Sequence, residues 1–155
     1  MNERLQKFRE FLGKYSGIAL DADQGYMIDT RLFPVLRQRN IADVPTLIDM
    51  AMSNRDEALT QDVVEAMLTG ETFFFRDKPV FDAFRNTLLP QLIAARKETR
   101  RLRIWSAAAS TGQEPYSIAM ILDEEARALR GWQIEIIATD LSVTAINAAK
   151  AGSYN

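Results

Sequence analysis

Apolar residues recur every three or four positions through residues 1–70, which predicts a bundle of amphipathic helices joined by short loops. The first helix ends near Gly17, and the second spans residues 24–39. Asp43 is placed to cap the third helix, and the fourth spans residues 58–69 before Gly70. For the first two helices, the side chains expected to face inward are Leu5, Phe8, Phe11, Leu12, Tyr15, Tyr26, Met27, Leu32, Phe33 and Leu36.

The second helix carries two irregular features. Pro34 lies inside it, and because a proline removes a backbone donor and clashes with the preceding turn, we expect a kink or an early break. Arg31, Arg37 and Arg39 give the same segment a positive face in a chain that is otherwise slightly acidic. A solvated helix side and a patch for an acidic partner both explain these arginines, and the pattern alone leaves both open.

The aromatic segment, residues 71–77 with the sequence ETFFFRD, interrupts the helical period. Its three consecutive phenylalanines are expected to be packed on several sides, because aromatic side chains dominate burial. Arg76 next to them needs a carboxylate or another planar partner for its guanidinium. A helix follows from Lys78, and Pro90 should kink it or divide it in two. We place the domain boundary here, giving domains of residues 1–70 and 71–155.

The second domain begins with a strand, a loop and a helix in residues 103–121, RIWSAAASTGQEPYSIAMI. The strand contains Ile104 and Trp105, small residues fill positions 106–112, and the helix is expected over residues 113–130. Residues 132–138 read as a second strand, of the kind that is buried on both faces of a parallel sheet. A last helix follows, with Ser142 as its cap and Gly152 as its end. This order predicts a Rossmann-like α/β unit.

Candidate chemistry is concentrated where the two strands end. Small residues bring the backbone of 106–112 close to a ligand, and a helix start attracts polar or anionic groups. Glu114 either caps its helix or contacts a ligand, and Asp140 either caps the last helix or binds a ribose hydroxyl pair. The loop lacks the glycine-rich phosphate motifs, which disfavours dinucleotides and nucleoside triphosphates. A nucleoside cofactor without phosphates, such as S-adenosylmethionine, fits this description.

Composition removes several classes of function. The 155-residue chain has no cysteine and no histidine, which excludes disulfides, a Ser-His-Asp triad and a metal held by either residue type. A net charge of −2 gives no basic field for nucleic acid. The amphipathic N-terminus is not a secretory signal, and no apolar run approaches the roughly 18 residues that span a bilayer. We therefore expect a cytoplasmic protein without membrane insertion.

Three stretches resemble the chemotaxis receptor methyltransferases of the CheR type. They are TGETFFFRD, RIWSAAASTGQEPYSIAM and ATDLSVTAINAAKAGSY, and the RLFPVLRQR stretch is similar to that family's N-terminal domain. The resemblance covers nearly the whole chain. It implies an all-α N-terminal bundle followed by a truncated α/β Rossmann-like S-adenosylmethionine methyltransferase domain. The implied reaction is methylation of glutamate side chains in the cytoplasmic domain of chemoreceptors or similar proteins.

The resemblance also assigns roles to residues. Thr72 and Arg76 would line the cofactor site from the aromatic segment. A separate hypothesis, which comes from the chemistry of methyl transfer and not from the resemblance, is that Arg76 also orients the substrate carboxylate as a catalytic residue. Glu114 would contact the methionine end of S-adenosylmethionine, and Asp140 its ribose hydroxyls. The pocket wall would be formed by Ala107, Ala108 and Ala109. The receptor-binding arginines would be Arg31, Arg37 and Arg39.

The sequence departs from the family pattern in four ways. Gly70 stands where relatives often have asparagine, Gln113 replaces a common glutamate, and Pro34 and Val35 replace residues that are often arginine. Relatives also continue well beyond Asn155, so we expect a truncated chain whose two strands leave apolar edges and faces exposed, with self-association or a domain swap as one remedy. The alternative function is a non-catalytic module that binds a receptor or senses the cofactor.

Overall fold

The computed structural model describes residues 3–20, 25–53 and 55–154, and its chain divides into two compact units, Met1–Thr69 and Gly70–Asn155. The first contains helices α1 (Glu3–Ser16), α2 (Gly25–Arg39), α3 (Val44–Met52) and α4 (Glu57–Met67). The second contains α5 (Lys78–Ala83), α6 (Leu89–Ala95), strand β1 (Arg101–Ala107), α7 (Gln113–Glu124), β2 (Gln133–Thr139) and α8 (Val143–Ala151). The predicted fold class, a helical bundle followed by an α/β unit with two strands, is confirmed.

The helices of the first unit begin and end as their capping residues dictate. Asp43 accepts a hydrogen bond from the Thr46 amide at 2.8 Å, and Asp56 accepts one from the Leu59 amide at 2.9 Å. Gly17 follows α1 with a φ of 75°, as expected for a helix stop. The predicted start of α2 at Gln24 lies outside the described residues. The fourth helix ends at Met67, two residues earlier than predicted, because Leu68 is already extended.

Among the described residues of the first unit, every buried side chain is apolar except that of Thr60, which donates to the Ala51 carbonyl at 3.2 Å. Full burial of one leucine side chain stabilises the folded state by roughly 1.5–3 kcal/mol. The buried apolar side chains are Phe8, Leu12, Ile28, Leu32, Val35, Leu47, Ile48, Ala51, Leu59, Val63, Val64 and Met67.

Parts of two predictions about α2 are wrong. Its inner face is Ile28, Leu32 and Val35, at i, i+4 and i+7, whereas Tyr26 and Phe33 are 74% and 52% exposed. The prediction gathered every large apolar residue, but a helix buries only one stripe. Of the kink or early break predicted at Pro34, the break does not occur, because α2 continues to Arg39. Pro34 lies on the exposed side of the helix, where water can satisfy the carbonyl that loses its donor.

The helix predicted from Lys78 is divided near Pro90, as expected. A π turn, Phe84–Leu88, separates α5 from α6, and the Leu89 amide donates to the Phe84 carbonyl five residues earlier. Pro90 occupies the start of α6, where its missing amide hydrogen costs little.

The sheet of the second unit consists of β1 and β2, which pair in parallel from Arg101↔Gln133 to Ala107↔Thr139. One face packs on a core formed by Phe81, Leu89, Leu102, Ile121, Leu122 and Leu129. The prediction that the second strand is buried on both faces is wrong, since only Ile136 within it is even half-buried. Trp105 of β1 is 69% exposed, which confirms the expected exposure of apolar sheet surface.

The helix after the loop is shorter than predicted and ends at Glu124. Beyond it the amides of Ala126 and Ala128 donate three residues back, to Asp123 and Glu125, so the chain continues as tight turns. These turns return the buried Leu129 to the core before β2. In the part of the chain that the structure describes, no helix has the length and apolarity needed to cross a membrane.

Candidate functional site

The loop between β1 and α7 is built in an uncommon backbone conformation. Ala108, Ser110 and Gly112 have φ angles of 58°, 49° and 98°, in the left-handed region that non-glycine residues rarely adopt. The Ala109 amide donates to the Thr139 carbonyl at 2.9 Å, which ties the loop to the end of β2. Ala109 and Ser110 are buried in this path, which suits their small side chains.

Asp140 follows β2 and fixes the same loop. Its Oδ2 accepts a hydrogen bond from the Ser110 amide at 2.7 Å, and its Oδ1 accepts one from the Ser142 amide at 2.9 Å. The helix-capping role belongs to Ser142, whose Oγ accepts from the Ala145 amide at 3.0 Å. Of the two alternatives left open by the sequence, capping of the last helix by Asp140 is therefore wrong.

Glu114 lies in the first turn of α7 and faces back toward β1. The Ser106 hydroxyl, which is almost completely buried, donates to Glu114 Oε1 at 2.7 Å. The N-cap of this helix is Gly112, and no side chain caps it. Glu114 therefore does not cap the helix, and its carboxylate is oriented by a buried serine at the carboxyl end of a strand.

The aromatic segment is anchored to α7 by another buried serine. The Phe75 amide donates to Ser117 Oγ at 2.9 Å, and the Ser117 hydroxyl donates to the Gln113 carbonyl at 2.7 Å. Phe75 and Asp77 both have positive φ angles, of 54° and 59°. The prediction that all three phenylalanines are packed on several sides is wrong, because Phe73 is 54% exposed.

Thr72 and Arg76 lie in this segment. Thr72 is half-buried, whereas Arg76 is exposed, donates to the Glu71 carbonyl and has its guanidinium carbon 5.9 Å from the centre of the Phe73 ring. Arg76 thus has the planar partner expected for it, although the partner is an aromatic ring and not a carboxylate. Among the contacts of the described residues, none joins Arg76 to Glu114 or Asp140.

Gly70 is joined to the loop through its backbone. The Ser110 hydroxyl donates to the Gly70 carbonyl at 2.8 Å, and a Cβ added at Gly70 would lie 3.3 Å from that hydroxyl oxygen. Ser110 is therefore held at both its amide and its side chain, between the chain entering the unit and the carboxylate of Asp140.

The predicted residues thus fall into separate groups. Ala107, Ala108, Glu114 and Asp140 gather at the carboxyl end of the two strands, where open parallel sheets bind ligands. Thr72 and Arg76 belong to the aromatic segment, which contacts α7 through Ser117.

The three predicted receptor-binding arginines lie in the first unit and differ in their surroundings. Arg31 donates from Nη1 to the Met67 carbonyl at 2.6 Å and from Nη2 to Thr69 Oγ1 at 3.1 Å, at the end of α4. Arg39 pairs with Asp62, with its Nη2 atom 2.6 Å from Oδ2. Arg37 is exposed and has its guanidinium carbon 5.1 Å from the centre of the Phe33 ring. Only one of the three is thus directed mainly to solvent.

Sequence reasoning missed the residues that shape the site. Ser106, Ser110 and Ser117 are buried, and each makes a polar contact that orients a loop or a carboxylate. Tyr154 was also missed; its hydroxyl donates to the Thr111 carbonyl at 2.7 Å, and burial raises the pKa of that hydroxyl. The run of small residues pointed to the loop, but nothing in it distinguished a structural serine from a solvated one.

Comparison with known proteins places both units in one family. The family model described as "CheR methyltransferase, all-alpha domain" matches residues 3–68, and the one described as "CheR methyltransferase, SAM binding domain" matches residues 70–155. S-adenosylmethionine is thus the cofactor of this domain family, as the residues at the strand ends indicated.

Similar proteins carry the corresponding names. The chain is 41% identical over 157 residues to chemotaxis protein methyltransferase 1 of Pseudomonas aeruginosa, and 38% identical over 157 residues to chemotaxis protein methyltransferase Cher2 of Pseudomonas putida. Each alignment covers 99% of this chain but 57% of the relative, so the chain spans little more than half the length of these curated relatives. Both domain matches and these identities confirm the resemblance found in the sequence, and the chain belongs to the CheR methyltransferase family.

Proposed function

We propose that this chain contributes to the transfer of a methyl group from S-adenosylmethionine to glutamate side chains of chemoreceptors or related signalling proteins in the cytoplasm. The observation that carries the proposal is the placement of two oriented carboxylates, Glu114 and Asp140, at the carboxyl end of the sheet in a family S-adenosylmethionine domain. The names of the similar proteins support the chemotaxis setting.

The residues present fit the cofactor. Each Asp140 oxygen already accepts one backbone hydrogen bond, and a carboxylate oxygen has capacity for another, so a ribose hydroxyl pair can be bound without displacing the loop. Glu114 carries the negative charge that suits the amino group of the methionine end. Ala107 and Ala108 leave space beside the loop, and no glycine-rich phosphate motif is needed because the cofactor has no phosphates.

When bound, S-adenosylmethionine supplies a methyl group on a positively charged sulfur. A glutamate substrate is already ionised near neutral pH, so its attack on the methyl group needs no general base. The chain's own residues then have to bind and orient the cofactor and the substrate, and exclude water from them. The lack of histidine in the chain is consistent with this chemistry. Asp140 and Glu114 would hold opposite ends of the cofactor, and the Ser106 hydroxyl and the Ser110 amide orient those carboxylates.

Arg76 is proposed to orient the substrate carboxylate as well as to line the cofactor site with Thr72. Its guanidinium has five donors in a rigid fork, and the Glu71 carbonyl engages Nη1. The remaining donors suit a planar, bidentate contact with a carboxylate. The main-chain contact and the Phe73 ring hold the guanidinium in place, which reduces the entropy lost when a substrate binds.

The partner surface is proposed to lie on α2, with Arg31, Arg37 and Arg39 meeting acidic receptor side chains. Arg31 and Arg39 also stabilise the first unit, through the end of α4 and through Asp62. Arg37 is therefore the cleanest position at which to test docking. Reversing its charge should weaken binding of a receptor cytoplasmic domain while leaving cofactor affinity unchanged.

Titration calorimetry with S-adenosylhomocysteine, with the oligomeric state followed by light scattering, tests the cofactor site. Asp140→Asn should lower affinity about tenfold, because a hydrogen bond to a charged group is replaced by a neutral one. Asp123→Asn is the matched control, since Asp123 is an exposed carboxylate on α7. Equal affinities for both variants and the unsubstituted chain would contradict the assignment of Asp140.

A methyl-transfer assay separates the leading function from its alternative. Radiolabelled methyl incorporation into a chemoreceptor cytoplasmic domain, lost in Arg76→Ala, would support the enzyme. Binding of S-adenosylhomocysteine without any incorporation would favour the cofactor-sensing or receptor-binding module. If binding requires a dimer, the site is completed between chains, and light scattering at the calorimetric concentration would reveal it.

A further inference from the structure

Tyr154 occupies a position that connects the loop to the end of the described chain. After α8, Gly152 turns the backbone with a φ of 60°, and Tyr154 comes back toward the start of α7. There its hydroxyl donates to the Thr111 carbonyl at 2.7 Å. That carbonyl lies inside the loop, one residue before the N-cap of α7, so a single side-chain bond holds the loop to the segment that follows α8.

The ring of Tyr154 contacts two further elements. Its edge-to-face contact with Phe74 has centroids 5.0 Å apart and planes at 84°, and Phe74 belongs to the aromatic segment that carries Thr72 and Arg76. A second contact, with Tyr116 of α7, has centroids 5.7 Å apart and planes at 73°. Such pairs contribute beyond their buried area, so the ring has a preferred orientation.

The backbone around Tyr154 is fitted to this arrangement. A Cβ added at Gly112 would lie 2.8 Å from the Tyr154 hydroxyl oxygen and 2.9 Å from Ala149 Cβ. The Tyr116 hydroxyl donates to the Ala149 carbonyl at 3.0 Å, which fixes α8 against α7. The loop thus approaches α8 and Tyr154 so closely that only glycine fits at position 112.

We propose that Tyr154 is a positioning residue for the cofactor site, holding the loop of residues 107–112 with its hydroxyl and the aromatic segment with its ring. The inference rests on the proposed function. Tyr154 contacts neither Glu114 nor Asp140 in the hydrogen bonds of the described residues; it acts through the backbone that places them. A tyrosine hydroxyl is protonated at neutral pH and can therefore donate, and burial raises the pKa of this one further.

The test is Tyr154→Phe, which removes the hydroxyl and keeps the ring. Amide hydrogen exchange at Ala109, Ser110 and Gly112 should accelerate about fivefold, the effect of losing one net hydrogen bond on local opening. Affinity for S-adenosylhomocysteine, measured by calorimetry, should fall by a similar factor. Tyr116→Phe is the matched control, because it removes a hydroxyl from the same aromatic cluster without touching a loop carbonyl.

The outcomes separate the inference from the proposed function. Unchanged loop exchange in Tyr154→Phe, or faster exchange with unchanged affinity, would overturn the positioning role. A general loss of protection that includes α1–α4 would overturn it too, because the tyrosine would then be merely structural. If the unsubstituted chain does not bind S-adenosylhomocysteine, the proposed function fails in this chain, and the exchange data alone decide whether Tyr154 holds the loop.

Discussion

The two units handle backbone strain and buried polar groups differently. In the first unit one non-glycine residue, Asn40, has a positive φ among the described residues, whereas the second has Phe75, Asp77, Arg100, Ala108 and Ser110. Buried hydroxyl side chains follow the same division, with Thr60 in the first unit and Ser106, Ser110 and Ser117 in the second. Apart from Arg100, which precedes β1, strain and buried polar contacts in the second unit therefore lie near the proposed cofactor residues.

The two units are accordingly stabilised in different ways. The first depends on apolar burial, which tolerates no loss of volume but places few demands on individual hydrogen bonds. The second has an apolar core too, but it also depends on a small number of polar contacts that hold the loop and the aromatic segment in strained conformations. Substitutions should accordingly damage the two units by different mechanisms.

The largest effect is expected from loss of core volume in the first unit. Leu32→Ala removes a fully buried side chain and should destabilise this unit by about 2–5 kcal/mol, through lost transfer energy and a residual cavity. Phe33→Ala, at the adjacent and 52% exposed position, should change stability by less than about 1 kcal/mol. Denaturant unfolding followed by circular dichroism measures both. Equal losses would show that the burial pattern of α2 is misassigned.

A smaller effect is expected at Gly112, where strain and crowding coincide. Gly112→Ala should destabilise the second unit by about 2–4 kcal/mol, since the residue has a φ of 98° and its Cβ would meet Tyr154 and Ala149. Gly17→Ala isolates the conformational cost, because Gly17 has a φ of 75° and no described residue lies within 4 Å of an added Cβ. Gly17→Ala should lower the free energy of unfolding by about 1 kcal/mol. If Gly112→Ala were no more destabilising than Gly17→Ala, Gly112 would not approach Tyr154 and Ala149 closely.

The smallest effect concerns pH. The hydrogen bonds from Thr46, first through its side chain and then through its backbone amide, lower the pKa of Asp43 below 3.8. A carboxyl group whose pKa is lower in the folded than in the unfolded protein stabilises the fold at pH values above its unfolded-state pKa. This stabilisation is lost as the pH falls through its folded-state pKa. The free energy of unfolding, measured between neutral pH and about pH 2, should therefore fall slightly less on acidification in Asp43→Asn than in the unsubstituted protein. Identical profiles of stability against pH for the two proteins would show that the charge of Asp43 does not stabilise α3.

Much of the fold could be predicted because local chemistry specifies it. Asp43 caps α3, Pro90 marks a helix junction, and Ser142 caps α8, each as its side chain requires. The inward face of α2 was harder to predict. Tyr26 and Phe33 are apolar enough to suggest burial, but they lie outside the stripe of side chains that packs against the core. Which stripe is buried depends on the neighbouring helices, and single-helix periodicity does not contain that information.

For the candidate site, the sequence alone located the loop, Glu114 and Asp140, because small residues and strand-end carboxylates form a local pattern. It also assigned the family, which both domain matches confirm. Only the tertiary structure shows that Ser106, Ser110, Ser117 and Tyr154 hold the loop and the aromatic segment. These contacts join residues far apart in the chain, up to 43 positions for Tyr154 and Thr111. A hydroxyl side chain has the same chemistry whether solvated or buried, and only the approach of a distant partner determines which it is.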